Sequence, residues 1–158
     1  MSQDDASIHL ETSLGYLLKE ASSTLRASME AVLRPLGMTV THYSCLELLA
    51  QRPGLSNSEL ARGAFVTRQS MNVLLQALER DGYVTRATEA PVGKALPTRL
   101  TPRGQRSLEA ASAAVRSVEV TMLSGMSDAE QAAALRALRS MVRALRSGHG
   151  DKGVPPST

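Results

Sequence analysis

Three features of the sequence predict a mainly α fold, an α+β winged helix. Apolar residues recur at spacings of three and four over most of the chain, capping residues stand at fixed offsets before those stripes, and one pair of short β-prone runs flanks a segment rich in Pro and Gly.

Leu14, Leu17, Leu18, Ala21, Leu25, Met29, Val32 and Leu36 form one stripe of a long first helix within residues 8–36, which Pro35 and Gly37 close. Thr39 then offers a side-chain oxygen to the free amides of a second helix that turns Tyr43, Cys45, Leu46, Leu48 and Leu49 inward. Pro53-Gly54 breaks it. Ser56 with Glu59 three residues on is a capping box, which predicts a short helix from about Asn57 to Ala64, with Phe65-Val66 as the turn after it. Thr67 caps the next helix, which runs to about Arg80 and stops at Asp81-Gly82, where Gly82 is free to turn left-handed.

Tyr83 to Ala87 and Leu96 to Leu100 read as the strands of a hairpin around Thr88 to Lys94, with Pro97, which has no amide donor, at an edge. Thr101-Pro102 opens another helix as N-cap and first helical residue. Leu108, Ala111, Val115, Val118 and Met122 repeat at 3,4,3,4. Ser127 with Glu130 is a second capping box, and Leu135, Leu138, Val142 and Leu145 continue the period in a final helix. The polar stretch 148–158 is expected to be a disordered tail.

In this order the elements at 38–101 make a winged helix-turn-helix. The stripes at 8–36 and 102–147 are too long for so small a domain to cover, and an apolar stripe needs a partner. We therefore expect these outer helices to be dimerisation helices of a homodimer.

The net charge of +3 is unevenly spread: residues 62–106 hold eight basic and three acidic side chains, whereas residues 1–61 hold four and seven. A localised basic segment attracts a polyanion. Aromatic residues are only 3% of the chain, which argues against single-strand binding by stacking. With one cysteine and no apolar run of membrane length, a reduced, cytoplasmic protein is expected, neither disulfide-built nor membrane-bound. No nucleophile with a base at readable spacing, phosphate-cradling glycine loop or metal-ligand cluster is present, so neither an enzyme, nor a cofactor, nor a metal site is expected.

The helix after Thr67 carries the functional expectation. At 100 degrees per residue, Met71, Leu74, Leu75 and Leu78 occupy one face, and Arg68, Gln69, Asn72 and Gln76 another, within about 100 degrees of Arg68. Arg is bidentate to guanine, and Asn and Gln to adenine, so these four are the candidates for reading bases in double-stranded DNA. Thr67 and Ser70 in the first turn, with Arg86 and Lys94 on the wing, are the candidates for phosphate contacts. Any surface helix shows polar residues opposite its core; the order short helix, turn, helix, basic hairpin is what favours DNA. A winged-helix adaptor for an acidic protein and a nonspecific architectural DNA binder remain alternatives.

PGLSNSELA from Pro53, FVTRQSMN from Phe65, LERDGYV from Leu78 and LTPRG from Leu100, in this order and spacing, resemble the MarR (multiple antibiotic resistance regulator) family over nearly all of residues 12–147. The resemblance implies an obligate homodimer, a palindromic operator, and repression relieved by a small, often aromatic or phenolic, effector. At the wing tip, where members commonly carry Asp-x-Arg, this chain has Val92, Gly93 and Lys94, similar to a subgroup with a Gly-basic-Ala-Leu wing. Lys94 keeps the charge and loses the bidentate fork. His42 begins the second helix where the family's effector cleft meets the dimer helices, so it is the candidate effector ligand, against a structural role. Some members sense oxidants through a cysteine; Cys45, on an inward face, reads instead as a buried, inert thiol.

Overall fold

A computed structural model describes residues 7–86 and 97–150. The candidate Lys94, the segment Thr88 to Lys94 and residues 151–158 lie outside the described residues. The described residues form six helices, α1 (Leu14–Leu33), α2 (Val40–Gln51), α3 (Asn57–Gly63), α4 (Arg68–Arg80), α5 (Pro102–Leu123) and α6 (Asp128–Gly150), with strands β1 (Val84–Arg86) and β2 (Thr98–Leu100) between α4 and α5. Short 3-10 turns, Leu10–Thr12 and Arg34–Leu36, flank α1. The chain divides into two compact units, residues 1–119 and 120–158, so that most of α5 belongs with the winged segment.

Within the first unit, the predicted caps do what their chemistry allows. Thr39 Oγ1 accepts from the His42 amide at 3.1 Å. Ser56 Oγ accepts from the Glu59 amide at 3.3 Å while Glu59 Oε2 accepts from the Ser56 amide at 2.7 Å. Those bonds to the charged form hold the Glu59 carboxyl below its ordinary pKa. The core is Leu33 and Met38, Cys45, Leu46 and Leu49 of α2, Leu60 and Ala61 of α3, Met71, Leu75 and Leu78 of α4, Val84 of β1, and Leu108 and Ala111 of α5.

That list corrects one expectation. The repeat beginning at Leu108 does not wholly await a partner: Leu108 and Ala111 are buried in their own unit and Val115 packs on the same core, whereas Val120 and Met122 are exposed. On α1, Leu14, Leu17 and Leu18 are exposed as well. A period identifies a stripe and cannot say which neighbour covers it.

The hairpin is antiparallel, pairing Val84 with Leu100, Thr85 with Arg99 and Arg86 with Thr98. It is welded to α5 through Thr101. The Thr101 amide donates to the Tyr83 carbonyl at 3.1 Å, its Oγ1 donates to the Gly82 carbonyl at 2.6 Å, and the same oxygen accepts from the Gly104 amide at 3.0 Å. The backbones approach so closely that a Cβ on Gly104 would lie 2.1 Å from the Tyr83 carbonyl oxygen. Only glycine fits there.

In the second unit, Ser127 and Glu130 form the expected reciprocal amide bonds, at 3.1 and 3.2 Å, at the start of α6. Leu135, Leu138, Val142 and Leu145 are exposed along it. The helix runs through Gly148 and His149, which were expected in the tail. Ser147 Oγ donates to the Arg143 carbonyl and His149 Nδ1 to that of Leu145, at 3.0 and 2.7 Å, each an i to i−4 bond along the end of the helix.

Candidate nucleic-acid interface

The site is built on α4. Thr67 Oγ1 accepts from the Ser70 amide at 3.0 Å and donates to Ser70 Oγ at 2.9 Å, closing the first turn of the helix. Met71, Leu75 and Leu78 are buried, which fixes the rotation of α4 about its axis and turns the opposite face outward. Thr67, Arg68, Gln69, Ser70 and Gln76 are exposed and Asn72 is partly buried. Five of the six side chains selected on and beside this helix are therefore open to solvent, and the sixth lies at the rim of the core.

The turn into α4 holds a feature that sequence reading missed. Phe65 has φ of 59° and is 91% exposed. Its amide donates to the Arg62 carbonyl at 3.3 Å and that of Val66 to the Ala61 carbonyl at 3.0 Å, a Schellman closure of α3. The same pair of bonds closes α4, with Gly82 at φ 81° in the equivalent place. Phenylalanine occupies a glycine position, at a cost of roughly 1–2 kcal/mol for a left-handed L-residue.

On the wing, Arg86 departs from expectation. Its side chain is only 24% exposed and its Nε lies 3.6 Å from Glu79 Oε2; among the described residues, Nε and Nη2 have no hydrogen-bond acceptor. The reason is strand phase: Val84 points into the core, so Arg86, two residues on, shares its face. The exposed cation of the described hairpin is Arg99, paired with Thr85 on the other face. Applying the period of two from Val84 would have selected it.

His42 packs edge-on against Tyr83, with ring centroids 5.2 Å apart, and the Arg103 guanidinium stacks 4.8 Å above the same tyrosine ring. Burial lowers the His42 pKa, against the field of Asp81. Nε2 is shielded and, among the described residues, unpartnered. A small molecule reaches it only by displacing its cover, so the packing supports a structural role. Cys45 is fully buried, and burial pushes its thiol up to about 12 despite the nearby Arg86 charge, as an inert thiol requires. A cleft of about 300 Å³ at the α1 to α2 junction is lined by Glu30, Arg34, Gly37, Met38 and Thr39. No helix among the described residues is long and apolar enough to cross a membrane.

This geometry has clear relatives. The MarR family model matches residues 36–95. The HTH-type transcriptional repressor Rv2887 of Mycobacterium tuberculosis is 42% identical over 118 residues, which cover 75% of this chain and 85% of the relative. Its crystal structure with salicylic acid aligns with a TM-score of 0.69 at 40% identity, covering 82% of this chain and 96% of the other. Its complex with DNA aligns at 0.67 and 38% identity, covering 82% and 98%. The winged helix-turn-helix built around α4, together with a relative this similar over three quarters of the present chain, places the chain in the MarR family.

Proposed function

We propose that the protein is a sequence-specific transcription regulator, a repressor that binds a palindromic operator in double-stranded DNA as a homodimer and responds to a small aromatic acid or phenol. The observation that carries the reading is the outer face of α4, where Arg68, Gln69 and Gln76 are free of the core with Asn72 beside them. These are the side chains whose donors and acceptors match base edges in a major groove. Thr67 and Ser70 stand at the positive end of the helix dipole, where a phosphate is favoured. On the wing we assign the backbone contacts to Lys94 and Arg99, with Arg86 acting through its ion pair with Glu79, which ties β1 to α4.

A relative at about 40% identity that binds DNA and salicylic acid supports both halves of the proposal. The exposed apolar faces of α1 and α6 support the dimer. A two-fold dimer presents its reading helices about one helical turn apart, so the half-sites should be inverted and about 10 base pairs from centre to centre. For the effector, the cleft beside Arg34 supplies a cation for a carboxylate. Salicylate works by favouring a state whose reading helices are wrongly spaced, which requires different affinities for the two states.

Selection of duplexes from a random pool, followed by titration of Asn72→Ala, tests the assignment. Loss of about 1–3 kcal/mol with relaxed preference at one position per half-site is expected. Unchanged affinity on every operator variant contradicts it. Lys94→Ala and Arg99→Ala should weaken all duplexes alike and flatten the salt dependence.

A further inference from the structure

Between Met38 and Leu100, only Phe65 and Val73 among the described residues are large hydrophobic side chains left exposed. Val73 is 61% exposed in the middle of α4. It is two residues from Met71 and two from Leu75, both buried, and so points about 160 degrees away from each around the helix. Gln69, one turn before it, and Gln76, one turn after it, are its neighbours on the exposed face. Neither packing nor helix propensity explains a valine at this place, because it touches no core and a β-branched side chain is a poor helix former. Single exposed apolar residues are common on protein surfaces. This one stands midway along α4, beside Gln69 and Gln76, at the edge of the face that the reading above puts into the major groove.

A major groove offers one apolar group, the 5-methyl of thymine, and apolar side chains recognise thymine through it. Flanking glutamines suit the adenine of such a pair or its neighbour, since both of their amide groups match N6 and N7. We propose that Val73 is a specificity-determining residue, which packs its two methyl groups on a thymine methyl in each half-site. The inference rests on the proposed DNA-reading role of α4 and adds to it one base identity read without a hydrogen bond.

The test uses the full chain and the tightest duplex it enriches from a random pool, remade with each thymine in turn replaced by uracil in both half-sites. The exchange removes only the methyl and leaves every hydrogen-bonding group in place. At one position the wild-type protein should bind about four-fold more weakly per half-site, the value of burying one methyl-sized group. Val73→Ala, which has the better helix former on an exposed face, should bind the thymine and uracil duplexes equally at that position. Val73→Thr, which keeps one methyl in the same shape, should retain part of the difference. If the wild type ignores uracil at every position, or Val73→Ala shows the same loss at the same position, the assignment to Val73 is overturned while DNA reading by α4 stands. If no duplex is enriched at all, both fall.

Discussion

Gly104→Ala adds a single methyl group where two backbone segments touch. Its Cβ would sit 2.1 Å from the Tyr83 carbonyl oxygen, 3.1 Å from the Tyr83 carbonyl carbon and 3.4 Å from Leu100 Cδ2. The first is a contact with backbone, which cannot swing aside as a flexible side chain could, so the turn after α4 and the start of α5 must separate by close to 1 Å. Overpacking of this kind costs about 1–3 kcal/mol. The separation also stretches the Thr101 amide bond to Tyr83 and the Thr101 hydroxyl bond to Gly82, now 3.1 and 2.6 Å, at about 1 kcal/mol each. Alanine's advantage in a helix returns at most about 1 kcal/mol. We expect a net loss of about 2–4 kcal/mol, measured as a lower urea midpoint by circular dichroism at one fixed protein concentration, because dimerisation would make the midpoint concentration-dependent. A loss below about 0.5 kcal/mol, the range of an ordinary surface substitution, would refute the close approach and with it the reason for glycine in the LTPRG stretch.

The remaining predictions concern single residues of the first unit. Phe65→Gly should stabilise the fold by about 1 kcal/mol, since it relieves a left-handed residue and gives up almost no packing; a lower melting temperature would show that the ring is held by something in solution. Thr67→Ala should cost about 1 kcal/mol of stability through the lost cap on α4, read from the same urea titration, with unchanged stability counting against the cap. His42 has a folded-state pKa below its ordinary 6.5, so its contribution to stability is present above pH 6.5 and is lost as pH falls through the folded value. The stability difference between the wild type and His42→Phe should therefore shift against the wild type on acidification, and a pH-independent difference would argue for an exposed ring. For Cys45 the sign is opposite. With the folded pKa raised from 9.0 to about 12, its stabilising effect is full below pH 9 and erodes by about 1.4 kcal/mol per pH unit above it. Thiol reagents should react only as fast as the protein opens, and rapid labelling of the native protein at pH 8 would contradict the burial.

Helix positions and ends were legible because local chemistry writes them: Ser56 with Glu59, Thr67 at the head of α4 and Gly82 at its foot each act within a few residues of themselves. The outward face of α4 was legible for the same reason, as three buried residues fix its rotation. What stayed hidden depends on partners distant in sequence. Arg86 reads as a wing contact in the sequence because its charge is visible and its facing is not; the facing is inherited from Val84, which the core captures. Leu108 and Ala111 looked like the start of an intermolecular seam because a stripe does not name its cover. Phe65 falls in the turn with no sign in the sequence that it takes the left-handed conformation, since phenylalanine is the wrong residue for it and only the closure of α3 demands it. Val73 carries no signal in the sequence, because a valine among glutamines belongs to neither the core pattern nor the polar one.

One hydroxyl group has an effect out of proportion to its size. By donating to Gly82 and accepting from Gly104, Thr101 clips the foot of α4 to the head of α5 through a single oxygen. Such a clip transmits force in both directions. A tilt imposed on the near end of α5 would reach α4 as a rigid movement, and under the proposed function a duplex bound by α4 would stiffen the root of α5 in return.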